Sequence, residues 1–423
     1  MHRTVVLYTW MVRGHLQPMT QLAHRFAALG VPVTVAVAEV PSTADSSRTI
    51  AHLAASHPSV SFHLLPPPPA ATTRSPDPDA DPFIALVADL RAANPALLAF
   101  LRPNASGVRA LVADFFCPYG FDVAAELGVP AYLFCASGAS VLASCLHIPM
   151  VRSAVSFGDM GRDLLHFRGV HPLPEALLDR DSDQYRTFLH LLEQLTRAKG
   201  FLSNTFEWLE PRAARAIRDG TASARPGEPA PALFCVGPLV VEERGSKLAK
   251  HECLRWLDGK PARSVAFLCF GSASSVPAEQ LKEIAVGLEK SGHSFLRAVR
   301  APVAPEADST KRFEGRGEAA VEALLSDGFL DRTRGSGMEA PQVEVLGHPA
   351  TGAFVTHCGW NSTLEAVAAG VPMVCWPMYL EQRMNKVFIV EETKLGVAMD
   401  GYDEGMVKAD EVETKVRLVM ESE

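Results

Sequence analysis

An α/β fold of two doubly wound, parallel-sheet halves is predicted by three observations. The chain has 423 residues, too many for one ordinary hydrophobic core. Short valine- and leucine-rich runs alternate with stretches of helical periodicity from the first residues onward. That alternation pauses at a Pro/Gly/Ala-rich stretch, 220–231, and then restarts. The predicted units are residues 1–240 and 241–423. Joined by a linker, they would face a cleft, because ligands of such sheets bind beyond the carboxyl ends of the strands.

The elements follow in order. Thr4 to Tyr8 is a first strand. From Pro18 to Leu29, Met19, Leu22, Ala23, Phe26 and Ala27 share one helical face; the proline suits a first turn and Gly30 a left-handed stop. The run 31–40 is a valine-rich strand, completing a βαβ unit. The rhythm recurs as strand 110–116, helix 121–127 and strand 129–134. A Pro/Asp-rich stretch, 66–82, reads as a loop. After the boundary come strand 264–270, helix 277–290 with Leu281, Ile284, Ala285 and Leu288 inward, and strand 295–299. Strand 353–358 leads into a helix, then strand 373–376, and a last helix starts near Ala409.

Composition narrows the function. A net charge of −8 opposes binding to nucleic acid or anionic membrane. No apolar run approaches the ~20 residues of a membrane span, and the opening apolar run is too short for a signal peptide. These readings place the protein in the cytosol, with no oligomer signature. The eight cysteines show no C-x-x-C pair or zinc spacing, so neither disulfides nor a structural metal are expected. Phosphate-loop, dinucleotide-turn, H-E-x-x-H and G-x-S-x-G signatures are all missing. Asp79-Ala80-Asp81 and Asp181-Ser182-Asp183 match the D-x-D of a metal-dependent transferase, but read better as solvated acid clusters.

The informative segment is 340–382, APQVEVLGHPATGAFVTHCGWNSTLEAVAAGVPMVCWPMYLEQ. Its strand runs into Gly359-Trp360-Asn361-Ser362, where Asn and Ser are N-cap types and the glycine permits close approach. A helix N-terminus at a sheet's carboxyl edge is an anion site. His357 adds a donor, and Glu365 lies on the same helical face as Ser362. An ordinary capped helix beside a core histidine fits the same spacing.

This segment resembles the long signature of plant secondary-product UDP-dependent glycosyltransferases. GHLQPM, ADFF, VGPL and FLCFGSASSVPAEQLKEIAVGLEKSG extend the likeness almost end to end, nearest in look to flavonoid and phenolic O-glucosyltransferases. The resemblance implies the GT-B fold, two Rossmann-like domains, with an acceptor-binding first domain and a UDP-sugar-binding second. It implies that Ala340 and Gln342 touch the uridine and Glu365 the ribose. His357, Asn361, Ser362 and Ser272 would hold the diphosphate, and Trp360, Glu381 and Gln382 the sugar, which the terminal glutamine makes glucose. The implied base is His15, in the loop after the first strand, oriented by Asp114; Phe116, Leu146 and Met150 are candidate acceptor-pocket walls. A base takes the acceptor proton, the carboxylate steadies the imidazolium, and the helix terminus receives UDP. The expected reaction is inverting transfer of glucose from UDP-glucose to a hydroxyl of a small phenolic, with no metal or other cofactor.

Four departures from the family pattern generate a contrary expectation. Glu339 stands where a tryptophan stacks on uracil, a contact worth ~1–3 kcal/mol on the scale of base–aromatic stacking. A strand leading to it, near 335–339, is missing. Arg297 replaces a tryptophan within an apolar strand, where an unpaired buried guanidinium would be costly. Ala136 replaces a hydroxyl residue. The resemblance also implies several tens of further residues after Glu423. Together these predict a degenerate member, weakly active or inactive, serving at most as a small-molecule binding protein.

Overall fold

A computed structural model describes residues 3–40, 46–68, 81–151, 164–165, 167–174, 182–222, 231–240, 251–271, 276–298, 340–378 and 380–422. It divides into two units, Met1–Leu239 and Val240–Glu423.

In the first unit, strand β1 (Thr4–Trp10), helix α1 (Arg13–Ala28) and strand β2 (Val33–Ala38) form the expected βαβ start of a doubly wound sheet. Then come α2 (Ser46–Ser56), β3 (Ser61–Leu65), α3 (Pro82–Ala92), α4 (Asn94–Leu101), β4 (Val108–Asp114), α5 (Gly120–Glu126), β5 (Ala131–Cys135) and α6 (Ala139–Val151). A two-residue ladder, β6 (Leu164–Leu165) with β7 (Leu173–Pro174), precedes α7 (Asp183–Leu195), β8 (Gly200–Ser203), α8 (Pro211–Arg218) and β9 (Ala232–Cys235). The seven long strands are parallel, in the order β3-β2-β1-β4-β5-β8-β9. The chain winds outward from β1 through β2 and β3, then returns to β4 and winds the other way. The switch point lies between β1 and β4, which pair Leu7 with Val112 and Tyr8 with Ala113.

The second unit holds α9 (Glu252–Asp258), β10 (Val265–Cys269), α10 (Ala278–Ser291), β11 (Ser294–Ala298), α11 (Gln342–Leu346), β12 (Thr351–Thr356), α12 (Trp360–Ala369), β13 (Met373–Cys375), α13 (Leu380–Val387), β14 (Gly396–Ala398) and α14 (Ala409–Met420). Its parallel sheet runs β11-β10-β12-β13-β14, so its switch point lies between β10 and β12, with Cys269 opposite Thr356. Val412, Val416 and Val419 on α14 pack with Leu281, Ile284 and Leu288 on α10 in one buried cluster. Gln280 binds the backbone of Val407 twice: Nε2 donates to the carbonyl at 2.8 Å and Oε1 accepts the amide at 2.9 Å. Burial of five or six aliphatic side chains at roughly 1.5–3 kcal/mol each makes this helix pair a principal anchor of the unit.

Several expectations need correction. Helix α1 begins at Arg13, so Pro18 is interior and His15 sits in the first helical turn rather than a loop. Gly30 does end the helix, with φ 74° and its amide bonded to the Ala27 carbonyl at 2.9 Å. Arg297 is half-buried in β11, which is an edge strand among the described residues, so its stem is not sealed within a core. Residues 82–107 form a run long and apolar enough by composition to cross a membrane, contrary to the reading that none exists. It is broken after α3 at Ala93, just before Pro95, and Val87, Leu90, Leu97 and Leu101 are buried in the fold. Ser272, Glu339 and the missing-strand region 335–339 lie outside the described residues. The described halves of the two D-x-D sequences are structural. Asp81 caps α3 by accepting from Phe83 and Ile84 amides at 2.8 and 3.1 Å, and Asp183 binds Arg186 on α7.

Candidate active site

Each switch point brings two loops together, and each pair of loops carries predicted residues. In the first unit, His15 follows β1 and Asp114 ends β4. His15 Nδ1 lies 2.9 Å from Asp114 Oδ2. The carboxylate is fully buried, whereas the imidazole keeps 21% of its side-chain surface exposed. Asp114 Oδ1 accepts the Phe116 amide at 3.0 Å, so both carboxylate oxygens have partners. A carboxylate fixed in this way holds the Nδ1–H tautomer and makes the Nε2 lone pair the basic position. Aromatic rings close the sides. Trp10 and Phe116 have centroids 5.6 and 5.2 Å from the imidazole. Phe116 in turn contacts Phe83 on α3, which contacts Phe188 on α7, each at 6.2 Å. Of the three proposed pocket walls, Phe116 therefore sits beside the base. Leu146 is core, and the Met150 side chain lies outside the described residues.

In the second unit the loop after β12 turns sharply. Cys358 has a left-handed φ of 64°, uncommon for a residue with a side chain, and Gly359 is the N-cap of α12. The helix thus starts at Trp360, and Asn361 and Ser362 lie in its first turn instead of capping it. The N-cap Gly359 has no side chain to cap this terminus, and a helix N-terminus is by its dipole a place that suits an anion. His357 is wedged between two glycines: a Cβ on Gly271 or Gly359 would fall 2.6 or 2.4 Å from its Nε2. Burial lowers the His357 pKa to about 4, outweighing a smaller upward pull from the Cys269 backbone. Its Nδ1 is buried without a hydrogen-bond partner. The ring is consequently neutral at pH 7.

Gln342, which opens α11, reaches across to α12. Its Nε2 donates to Ser362 Oγ at 2.8 Å and to Glu365 Oε2 at 2.6 Å. Three predicted donor residues are thereby brought into one cluster, and Ala340 lies two residues before it. Glu381 and Gln382 occupy the first turn of α13. Gln382 Oε1 accepts the Met378 amide at 2.8 Å, and Glu381 Oε1 accepts from Asn385 Nδ2 at 3.0 Å. Asn385, buried and unforeseen, also donates to the Cys358 carbonyl at 2.9 Å, tying α13 to the left-handed turn. The Trp360 indole is buried, 5.6 Å from the Phe388 ring. Ala136 is also buried, and its carbonyl accepts from Asn204 at 3.4 Å. Asn385, Gly271 and the ring of aromatics around His15 carried no local signature, since their roles depend on contacts distant in sequence.

Two parallel-sheet units with polar residues gathered at their switch points are the arrangement expected of the GT-B class. The UDP-glucoronosyl and UDP-glucosyl transferase family matches residues 242–423. Anthocyanidin 5,3-O-glucosyltransferase of a Rosa hybrid cultivar is 38% identical, covering 99% of this chain and 90% of that protein. A phloretin 2'-O-glucosyltransferase of Malus domestica is 37% identical over 99% of this chain and 91% of its own length. Among solved structures, Phytolacca americana UGT2 with UDP-2fluoro-glucose and pterostilbene superposes with a TM-score of 0.82 at 32% identity, covering 99% and 90% of the two chains. TcCGT1 in complex with UDP gives 0.87 at 30% identity, covering 100% and 91%. The chain belongs to this UDP-dependent glycosyltransferase family. The contrary expectation of an inactive member finds no support: these relatives, named as glucosyltransferases, match over nearly all of it.

Proposed function

We propose that this chain transfers glucose from UDP-glucose to a hydroxyl of a flavonoid or other small phenolic, with inversion and without a metal. The observation that carries the reading is the His15–Asp114 pair, 2.9 Å apart with the carboxylate fully buried. His15 Nε2 takes the acceptor proton as the oxygen attacks the anomeric carbon; Asp114 steadies the imidazolium that results. The diphosphate leaves toward the uncapped start of α12, where Asn361, Ser362 and the neutral His357 supply donors, with Ser272 from the loop after β10. Uridine rests on Ala340 and Gln342. Ribose hydroxyls displace the Gln342 amide from Glu365. Glu381, Gln382 and the Trp360 backbone meet the sugar. The working molecule is a cytosolic monomer, its apolar run 82–107 serving the first unit's core and not a membrane.

The names of the relatives support glucose and a phenolic acceptor, and the terminal Gln382 agrees with them. The test is incubation with UDP-glucose and a mixed panel of flavonoids and simple phenols, with mass spectrometry for hexosides. Product from the wild type and none from His15→Ala is expected. Equal product from both would sink the assignment of the base, and none from either, with no UDP binding, would sink the enzyme.

A further inference from the structure

A groove on the first unit, outside the residues of the candidate active site, has the form of a second ligand site. It is a cavity of about 570 Å³ between α3 and α7, with Tyr119 on its floor, within the size range of small-molecule sites. Its apolar wall is Ile84 and Val87 with the alanines beside them; its polar rim is Arg91, Arg186 and His190. The Tyr119 ring is buried. The Arg91 guanidinium lies 5.5 Å from its centroid and the His190 ring 6.1 Å away.

The three basic groups differ in what surrounds them. Arg186 is bonded to Asp183 at 2.7 Å, and His190 lies 3.7 Å from Glu193. Arg91 has no ion pair among the described residues; it rests on the tyrosine ring. Its planar fork is suited to a carboxylate in two-point contact, and the apolar side chains beside it on the same helix, Ile84 and Val87, suit an aromatic ring. We propose that this groove binds an aromatic carboxylate, its ring between Ile84, Val87 and Tyr119 and its anion on Arg91.

The groove adjoins the acceptor half-site without sharing its residues. Ile84 follows Phe83 and Thr187 precedes Phe188, and those phenylalanines continue through Phe116 to His15.

The experiment is calorimetric titration of the full chain with cinnamate, in the absence of UDP-glucose, with cinnamamide as the uncharged control. Saturable cinnamate binding is expected. It should be at least tenfold weaker for cinnamamide and for Arg91→Ala, partly restored by Arg91→Lys, blocked by Ile84→Trp and unchanged by His15→Ala. Arg91 is exposed, and an unchanged melting curve for Arg91→Ala would show that the fold is intact. No saturable binding, binding indifferent to Arg91→Ala, or binding lost in His15→Ala would each overturn the proposal; the last would place the carboxylate against the base instead. None of these outcomes bears on whether glucose is transferred.

Discussion

The two switch points use the same topology to hold a histidine in opposite ways. Between β1 and β4, His15 is held by an attraction, a 2.9 Å contact to a buried carboxylate. Between β10 and β12, His357 is held by an exclusion, its ring filling the space left by two glycines. The first arrangement leaves an exposed edge and a ready counter-charge, so the ring can become an imidazolium. The second offers burial and no counter-charge, so the ring stays neutral. A base must change charge during a reaction, whereas a donor to a leaving diphosphate must not. The contrast teaches that neighbouring groups, not the residue type, decide which task a histidine can perform.

The sharpest way to break the comparison is to remove the attraction. Asp114→Asn preserves shape but lets the imidazole take the wrong tautomer. The expected loss in kcat is about 10³–10⁴-fold, the scale of the equivalent change in a Ser-His-Asp triad, with UDP affinity unaltered. A loss below tenfold would mean that the carboxylate is not the orienting group.

The next effect concerns acid. Unfolded, His357 takes up a proton below about pH 6.5; folded, only below about 4. The unfolded state therefore binds more protons between those values, and stability falls as pH drops through that window. This one ring accounts for about 3 kcal/mol across it. Urea denaturation of wild type and His357→Gln at pH 7 and pH 4 measures the term. Equal acid sensitivity of the two proteins would contradict the buried, neutral ring.

Glycine substitutions separate the two modes of holding. A Cβ on Gly359 falls 2.4 Å from His357, whereas one on Gly14, next to His15, meets nothing within 4 Å. Gly359→Ala is expected to weaken UDP binding by about tenfold or more, with Gly14→Ala within about twofold of wild type, consistent with strain of 1–3 kcal/mol at the crowded site. Titration of both variants with UDP decides the matter. Similar behaviour would remove the distinction between the half-sites.

The smallest change expected is a gain. Glu339→Trp restores a ring to stack on uracil, and UDP should bind about fivefold tighter at the low end of base–aromatic stacking, ~1 kcal/mol. No gain would show that this chain recognises uracil by other means.

Much of this was legible in the sequence where local pattern and tertiary demand agree. The strands carrying Asp114 and His357 were placed within two or three residues because aliphatic runs admit few other readings. The last helix was expected near Ala409 and starts there. Misreadings occurred where geometry overrode composition. Pro18 suggested a helix start, but the chain turns helical at Arg13 and carries the proline within it. Asn361 and Ser362 looked like caps, but the left-handed Cys358 starts the helix earlier. Helices α3, α4 and α7, with the aromatic wall they bring to His15, were not placed, because their flanks are rich in Pro and Asp and their partners distant. The cluster of Gln342, Ser362 and Glu365 followed from resemblance alone.

Arg297 gains another meaning from its place on β11. An edge strand displays unpaired amides and carbonyls, a template on which a second chain can add a strand and begin an aggregate. Two of its five residues, Phe295 and Leu296, are the apolar kind that favours such growth. A half-buried guanidinium directly after them, on a strand that is an edge among the described residues, would make a foreign strand bring its own backbone against a charge. What looks in sequence like damage to a core strand would, at such an edge, work against that growth.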